Sequence, residues 1–125
     1  MTGFSVMHCF VLVVDDDRAF RGLACRIIVA MGLQVAAEAG TVAEALAAAA
    51  ELRPDAALVD IGLPDGDGVS LARQLVALPW RPGVVLTSSD PDAITPAAAR
   101  SIGALGFLPK AELTNGSLRE MLGRE

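Results

Sequence analysis

Cys9-Phe-Val-Leu-Val-Val-Asp-Asp16 is a run of six apolar residues that stops at two acids. The run is far short of the roughly 20 residues needed to span a bilayer. It is also too evenly apolar for a strand with one face in water, so it predicts a strand covered on both faces. The same design returns along the chain. Ala56-Ala-Leu-Val59 runs into Asp60, Val84-Val-Leu86 into Thr87, and Ala104-Leu-Gly-Phe-Leu-Pro109 into Lys110. Continuous apolar strands alternating with helices indicate a doubly wound parallel sheet, and ligands of such sheets bind at the carboxyl ends of the strands. Two acids, one acid, a hydroxyl and an ammonium therefore converge on what reads as a site for phosphate and metal.

The intervening segments have helical periodicity. Phe20, Leu23, Ala24, Ile27, Ile28 and Met31 recur at helical spacing after Asp17, which can cap the helix, and Gly32 ends it. Strand two is the weak run Leu33–Glu38. Thr41 and Glu44 form a capping-box pattern for an alanine-rich helix that stops before Pro54. Gly62-Leu-Pro-Asp-Gly-Asp-Gly68 is a turn-rich loop, followed by helix three with Val69, Ala72, Leu75 and Val76 inward. Thr95-Pro96 reads as N-cap and first turn of helix four, which ends near Gly103, and Leu118, Met121 and Leu122 mark a short helix five. With right-handed crossovers, the fold class predicts a five-stranded parallel sheet of flavodoxin-like order 2-1-3-4-5 with five helices. Its switch point falls between Asp15-Asp16 and Asp60.

Composition narrows the function. The 125 residues make one domain, 1–125. A net charge of −5 without a basic cluster argues against direct nucleic-acid binding. The stretch Phe4–Val14 lacks the basic start and small-residue cleavage site of a signal peptide, so the chain reads as cytoplasmic and not membrane-bound. Cys9 and Cys25 have no metal-ligand spacing and read as reduced core residues. His8, the one histidine, lies at the far end of strand one from the acids and reads as structural or exposed. Trp80, between Pro79 and Pro82, reads as packing over the loop ahead of strand four.

Three carboxylates within about 5 Å of one another repel by roughly 3 kcal/mol per pair at an effective dielectric near 20. Such a pocket needs protons or a cation, and carboxylate oxygens with a backbone carbonyl and water suit Mg²⁺. Asp60 is then either a metal ligand alone or also a nucleophile toward phosphorus. Lys110 is the single lysine among nine arginines, which points to a place for a compact ammonium where a planar guanidinium would not serve.

The set Asp15-Asp16, Val59-Asp-Ile-Gly-Leu-Pro-Asp-Gly-Asp-Gly68, Leu86-Thr-Ser88 and Phe107-Leu-Pro-Lys110 resembles the receiver domain of bacterial two-component response regulators over essentially the whole chain. That resemblance implies a phosphoacceptor at Asp60 and Mg²⁺ held by Asp15, Asp16, Asp60 and the Gly62 carbonyl. It places Thr87 and Lys110 on the phosphoryl group, and makes Phe107 an aromatic switch whose rotamer follows Thr87. The phosphoryl donor it implies is a histidine kinase or a histidine phosphotransfer protein. It also places Gly62 and Ser89 beside the path of a hydrolytic water. Ala111 departs from the family pattern, which often has proline after the lysine; Lys-Ala-Glu-Leu113 resembles receivers attached to helix-turn-helix DNA-binding domains. A homodimer through the face of helix four, strand five and helix five is compatible with the same resemblance.

Two other classes compete. A phosphohydrolase of the haloacid-dehalogenase type would carry a second aspartate two residues after the nucleophile, where this chain has Gly62. A receiver-like module without phosphotransfer would be expected to have lost part of the acid, threonine and lysine set, which is complete here.

Overall fold

A computed structural model of the chain describes residues 9–123; the reading of His8 lies outside the described residues. Seven strands and five α-helices follow one another as β1 (Phe10–Val14), α1 (Arg18–Ala30), β2 (Gln34–Ala39), α2 (Val42–Leu52), β3 (Ala56–Asp60), the two-residue strands β4 (Gly62–Leu63) and β5 (Gly66–Asp67), α3 (Gly68–Val76), β6 (Gly83–Ser88), α4 (Pro96–Ser101), β7 (Gly106–Pro109) and α5 (Asn115–Leu122). The main sheet has the order β2-β1-β3-β6-β7, with every neighbouring pair parallel. This is the expected 2-1-3-4-5 topology.

Strand side chains alternate between two cores. Leu12, Val14, Ala57, Val59, Val84 and Leu86 pack with Ala45 and Ala49 of α2, Leu71 and Leu75 of α3, and Ala99 of α4. Val11, Val13, Leu58 and Val85 face Phe20, Ala24 and Ile28 of α1 and Leu118 and Met121 of α5. Burial on both sides is why these strands are continuously apolar. The small alanines of α2 let that helix lie close against the sheet.

Local chemistry sets the helix ends. The Asp17 carboxylate accepts from Ala19 N and Phe20 N to start α1, and Thr95 caps α4 ahead of Pro96. At α2, Thr41 accepts from Glu44 N at 3.0 Å, but the Glu44 carboxylate takes the N–H of Gly40 at 2.8 Å, so the expected reciprocal box does not close on Thr41. A true capping box occurs instead at α5, between Thr114 and Ser117. The α4 helix ends at Ser101, with Ile102 as its C-cap and Gly103 turning at φ 97°, as expected of a stop near Gly103.

Arg53 ends α2 in a left-handed conformation, φ 48°. Trp80 holds that turn: its indole N–H donates to the Pro54 carbonyl at 2.9 Å while the Arg53 guanidinium lies 4.5 Å from the ring centre. Trp80 thus has a packing role, but over the turn ahead of β3 rather than over the loop ahead of the fourth strand of the main sheet. Cys9 and Cys25 are half-buried rather than core residues, because Cys9 precedes β1 and Cys25 lies at the edge of the buried face of α1. The Cys25 thiol is pushed up by burial and then by the charge of Glu38, which keeps it in the thiol form.

The loop after β3, expected to be irregular, contains an antiparallel pairing of β4 with β5. Its far end is closed by Gly68, whose N–H donates to Ile61 O at 2.8 Å. A Cβ at Gly68 would overlap the Asp60 carbonyl oxygen and lie 2.6 Å from Ile61 Cα. Gly68→Ala should therefore lower the unfolding free energy in urea by about 1–3 kcal/mol, the usual cost of overpacking, and shift the Asp60 and Ile61 amide resonances. Wild-type stability in that variant would show that the loop closes with more room than the geometry indicates.

Candidate functional site

The parallel register brings four strand ends to one edge. Asp60, the last residue of β3, pairs with Thr87 of β6, and Ile61 N donates to Thr87 O at 2.9 Å. Asp15 follows β1, its N–H bonded to Ala39 O of β2 at 2.9 Å. Lys110 opens a short 3-10 turn, Lys110–Glu112, directly after β7. Every residue expected at the site except Phe107 lies at this edge.

Asp15 and Asp60 are buried, 1% and 6% exposed, whereas Asp16 is exposed. One carboxylate oxygen from each of the three lies within 4.8 Å of the others. The Lys110 ammonium enters this group, 2.7 Å from Asp15 Oδ2 and 3.4 Å from Asp60 Oδ2. It also lies 4.7 Å from the centre of the Phe20 ring. The remaining oxygens have backbone donors: Asp17 N to Asp15 Oδ1 at 2.8 Å, and Gly62 N to Asp60 Oδ1 at 3.3 Å. The Lys110 ammonium thus compensates Asp15 Oδ2, whereas Thr87 Oγ1 is buried with no hydrogen-bond partner.

A buried hydroxyl without a partner, as at Thr87, is costly unless a ligand completes it. An all-oxygen cluster of three carboxylates offset by a single ammonium fits a hard divalent cation of the Mg²⁺ type. An unmatched hydroxyl at Thr87, across from Asp60, fits an acceptor that binds there.

The electrostatics follow from this crowding. Burial and then the neighbouring charge of Asp15 raise the Asp60 carboxyl above its ordinary value, against the lowering by Lys110 and the Gly62 N–H. For Lys110, burial alone would lower the ammonium's pKa, but Asp15 and Asp60 together outweigh it and raise it. Lys110 thus stays charged at neutral pH, while Asp60 carries unrelieved repulsion.

Phe107 is already inside, 7% exposed, in the core that holds Leu86, Ala99 and Ala104. An inward turn of this ring is therefore not available from the conformation seen here. Ala111 introduces no special backbone: among the described residues there is no cis peptide. Gly62 faces open space, with nothing within 4 Å of a Cβ built on it.

Two supporting residues were not foreseen. Arg21 of α1 donates from Nη1 to the Asp15 carbonyl at 2.6 Å and from Nε to Glu38 at 3.1 Å, fixing the backbone that carries the acids. Its partner is a carbonyl of another element, which leaves no mark in the sequence. Phe20 was read only as core; its spacing on α1 gives no hint that its ring also meets Lys110.

Comparison with known proteins gives one consistent result. The family model for the response regulator receiver domain matches residues 11–122. A protein-glutamate methylesterase/protein-glutamine glutaminase of Anaeromyxobacter dehalogenans is 40% identical over 83% of this chain and 30% of its own length. The DNA-binding transcriptional activator DevR/DosR of Mycobacterium tuberculosis is 39% identical over 80% of this chain and 46% of its own. The crystal structure of the signal receiver domain of a modulated diguanylate cyclase from Desulfovibrio desulfuricans superposes with a TM-score of 0.79 at 30% identity, covering 91% of this chain and 90% of that one. The chain thus spans less than half the length of these two curated relatives.

A raised carboxyl pKa favours the protonated form in the folded state. Its contribution to stability is full below the ordinary aspartate pKa and is lost as pH rises through the raised value of Asp60. Asp60→Asn, which removes the charge, should accordingly melt higher than wild type at pH 7, by about 3–5 °C for each kcal/mol of repulsion relieved. The gain should shrink as pH falls toward 4. A variant that melts lower than wild type at pH 7 would show that the Lys110 pair outweighs the repulsion.

Proposed function

The chain belongs to the response regulator receiver family, whose general function is phosphorylation on an aspartate, and we propose that here Asp60 is the phosphoacceptor of a two-component signalling step. The observation that supports this most is the buried carboxylate of Asp60, 3.4 Å from Lys110 and paired in register with Thr87, whose hydroxyl has no partner. The phosphoryl donor is a histidine kinase or a histidine phosphotransfer protein. The P–N bond of its phosphohistidine breaks as a P–O bond to the Asp60 carboxylate forms. The attacking form of Asp60 is the carboxylate, which the Lys110 charge favours against burial and Asp15.

Asp15, Asp16 and Asp60, with the Gly62 carbonyl, are the residues that would hold Mg²⁺. Bound there, the ion supplies charge neutralisation for the carboxylates and the phosphoryl oxygens. The chain's own groups do the rest. Lys110, already 3.4 Å from Asp60, neutralises a phosphoryl oxygen. Thr87 donates its unused hydroxyl to another. Drawing Thr87 toward the phosphate changes its packing, and Phe107, buried in the neighbouring core, passes that change to the face of α4, β7 and α5. The phosphate–hydroxyl bond exists in one state only, which is what a switch requires. Partner binding, including a homodimer, is assigned to that face.

On this reading the chain is cytoplasmic, acts on no external substrate, and catalyses only its own phosphotransfer and dephosphorylation. Among the described residues no helix is long and apolar enough to cross a membrane. The output, including any attached DNA-binding domain, lies outside the receiver itself.

With Mg²⁺ and a small phosphoramidate donor, the wild-type chain should incorporate one alkali-labile, hydroxylamine-sensitive phosphate. Asp60→Asn and excess chelator should each abolish it, and Thr87→Ala should accept phosphate with a weakened shift in α4 and β7 amides. Equal incorporation into Asp60→Asn would refute the assignment. Because Gly62 leaves the site open, Gly62→Arg should cover it and lengthen the phosphate's lifetime severalfold, about 1 kcal/mol of barrier. An unchanged decay rate would mean that this opening does not set the lifetime.

A further inference from the structure

The β4–β5 hairpin is a poor candidate for rigidity on its own. It has two paired positions, Gly62 with Asp67 and Leu63 with Gly66, and an isolated two-stranded pairing is marginal in water. Three of the seven residues from 62 to 68 are glycine, which raises the entropy lost on ordering it. Yet its first residue donates to the Asp60 carboxylate. Something outside the hairpin must hold it.

The holding contact is at the tip. Asp65 accepts from Val42 N at 2.7 Å through Oδ1 and from Ala43 N at 3.1 Å through Oδ2. These are the first two N–H groups of α2, which point out of the helix without intrahelical partners. Thr41 caps only the third position, Glu44 N. A carboxylate from 22 residues further along the chain thus completes the helix end, where charge and the helix dipole both favour it. The neighbouring residue presses into the same place: a Cβ on Gly66 would lie 3.1 Å from Val42 Cγ2. The tip is fixed by polar bonds on one residue and by close approach on the next.

We propose that Asp65 is a positioning residue for the metal pocket: by clamping the hairpin tip to α2, it holds the Gly62 carbonyl where the cation bound by Asp15, Asp16 and Asp60 meets it. The proposal rests on the reading of Gly62 as a ligand. It ties metal affinity to the entry of α2, an element that contributes no residue to the pocket. It also gives Thr41 and Asp65 different roles at the same helix end. Both stabilise α2, and only Asp65 restrains the hairpin.

The test compares three variants of the full chain by Mg²⁺ titration, followed through amide chemical shifts near Asp15 and Asp60. Asp65→Ala should weaken Mg²⁺ binding about 10-fold, the lower end of what loss of an outer-shell partner costs, and speed amide exchange at Gly62 and Gly68. Thr41→Ala should lose similar thermal stability while binding Mg²⁺ as wild type does. Asp65→Asn keeps one carbonyl acceptor for Val42 N, and should remain folded and recover part of the affinity. Unchanged affinity in both Asp65 variants, with wild type binding normally, would overturn the positioning role and leave the metal reading intact. Equal weakening in Thr41→Ala would reduce Asp65 to a helix cap. Failure of wild type itself to bind Mg²⁺ would overturn the metal reading and the proposal with it.

Discussion

One ammonium stands among three carboxylates at the carboxyl edge of a parallel sheet, and most of the chain can be understood as the frame for that imbalance. Lys110 lies within ion-pair distance of Asp15 and Asp60, yet Asp60 remains harder to ionise than an ordinary aspartate because burial and Asp15 act against it. A core selected for stability alone would not keep such a group. Its cost is tolerated because the strands beneath it, apolar on both faces, supply the folding free energy that the site does not. The site is thereby left in need of positive charge. A divalent cation is the kind of ligand that would relieve it.

The frame is built from separate devices with the same effect. The sheet fixes Asp60 and Thr87 by direct register. Arg21 fixes the backbone of Asp15 from α1, and the Phe20 ring lies beside the Lys110 ammonium, limiting where that flexible side chain can go. Gly68 allows the chain leaving Asp60 to fold back on itself so closely that no larger residue fits. These supports come from α1 and from the start of α3, so groups on both sides of the sheet hold one cluster. Preorganisation of this kind matters where catalysis consists of positioning and charge neutralisation.

Thr87 and Phe107, the two residues proposed as a switch, sit in different surroundings. The hydroxyl is buried with no partner, so it has a bond to gain, while the ring is already packed with Leu86, Ala99 and Ala104. The ring therefore has less freedom than an exposed aromatic would. On the proposed switch reading, a response comes from repacking around this buried ring.

What the sequence determined by itself is the fold class and the membership of the pocket. Apolar runs ending in Asp15, Asp60, Thr87 and Lys110 are legible because strands buried on both faces cannot alternate, and because parallel strands bring their carboxyl ends to one edge. What the tertiary structure decided is how those groups are supported. The Asp65 clamp on α2, the Arg21 bond to a carbonyl and the Phe20 contact with Lys110 join residues that no local pattern relates. The capping at Thr41 shows the same limit: its spacing to Glu44 matches a reciprocal box, but the Glu44 carboxylate reaches Gly40 instead. Periodicity and end signals report which face a residue presents and where an element starts. They carry no information about which backbone group of a distant element comes within 3 Å of a side chain, because that is fixed only when the layers pack.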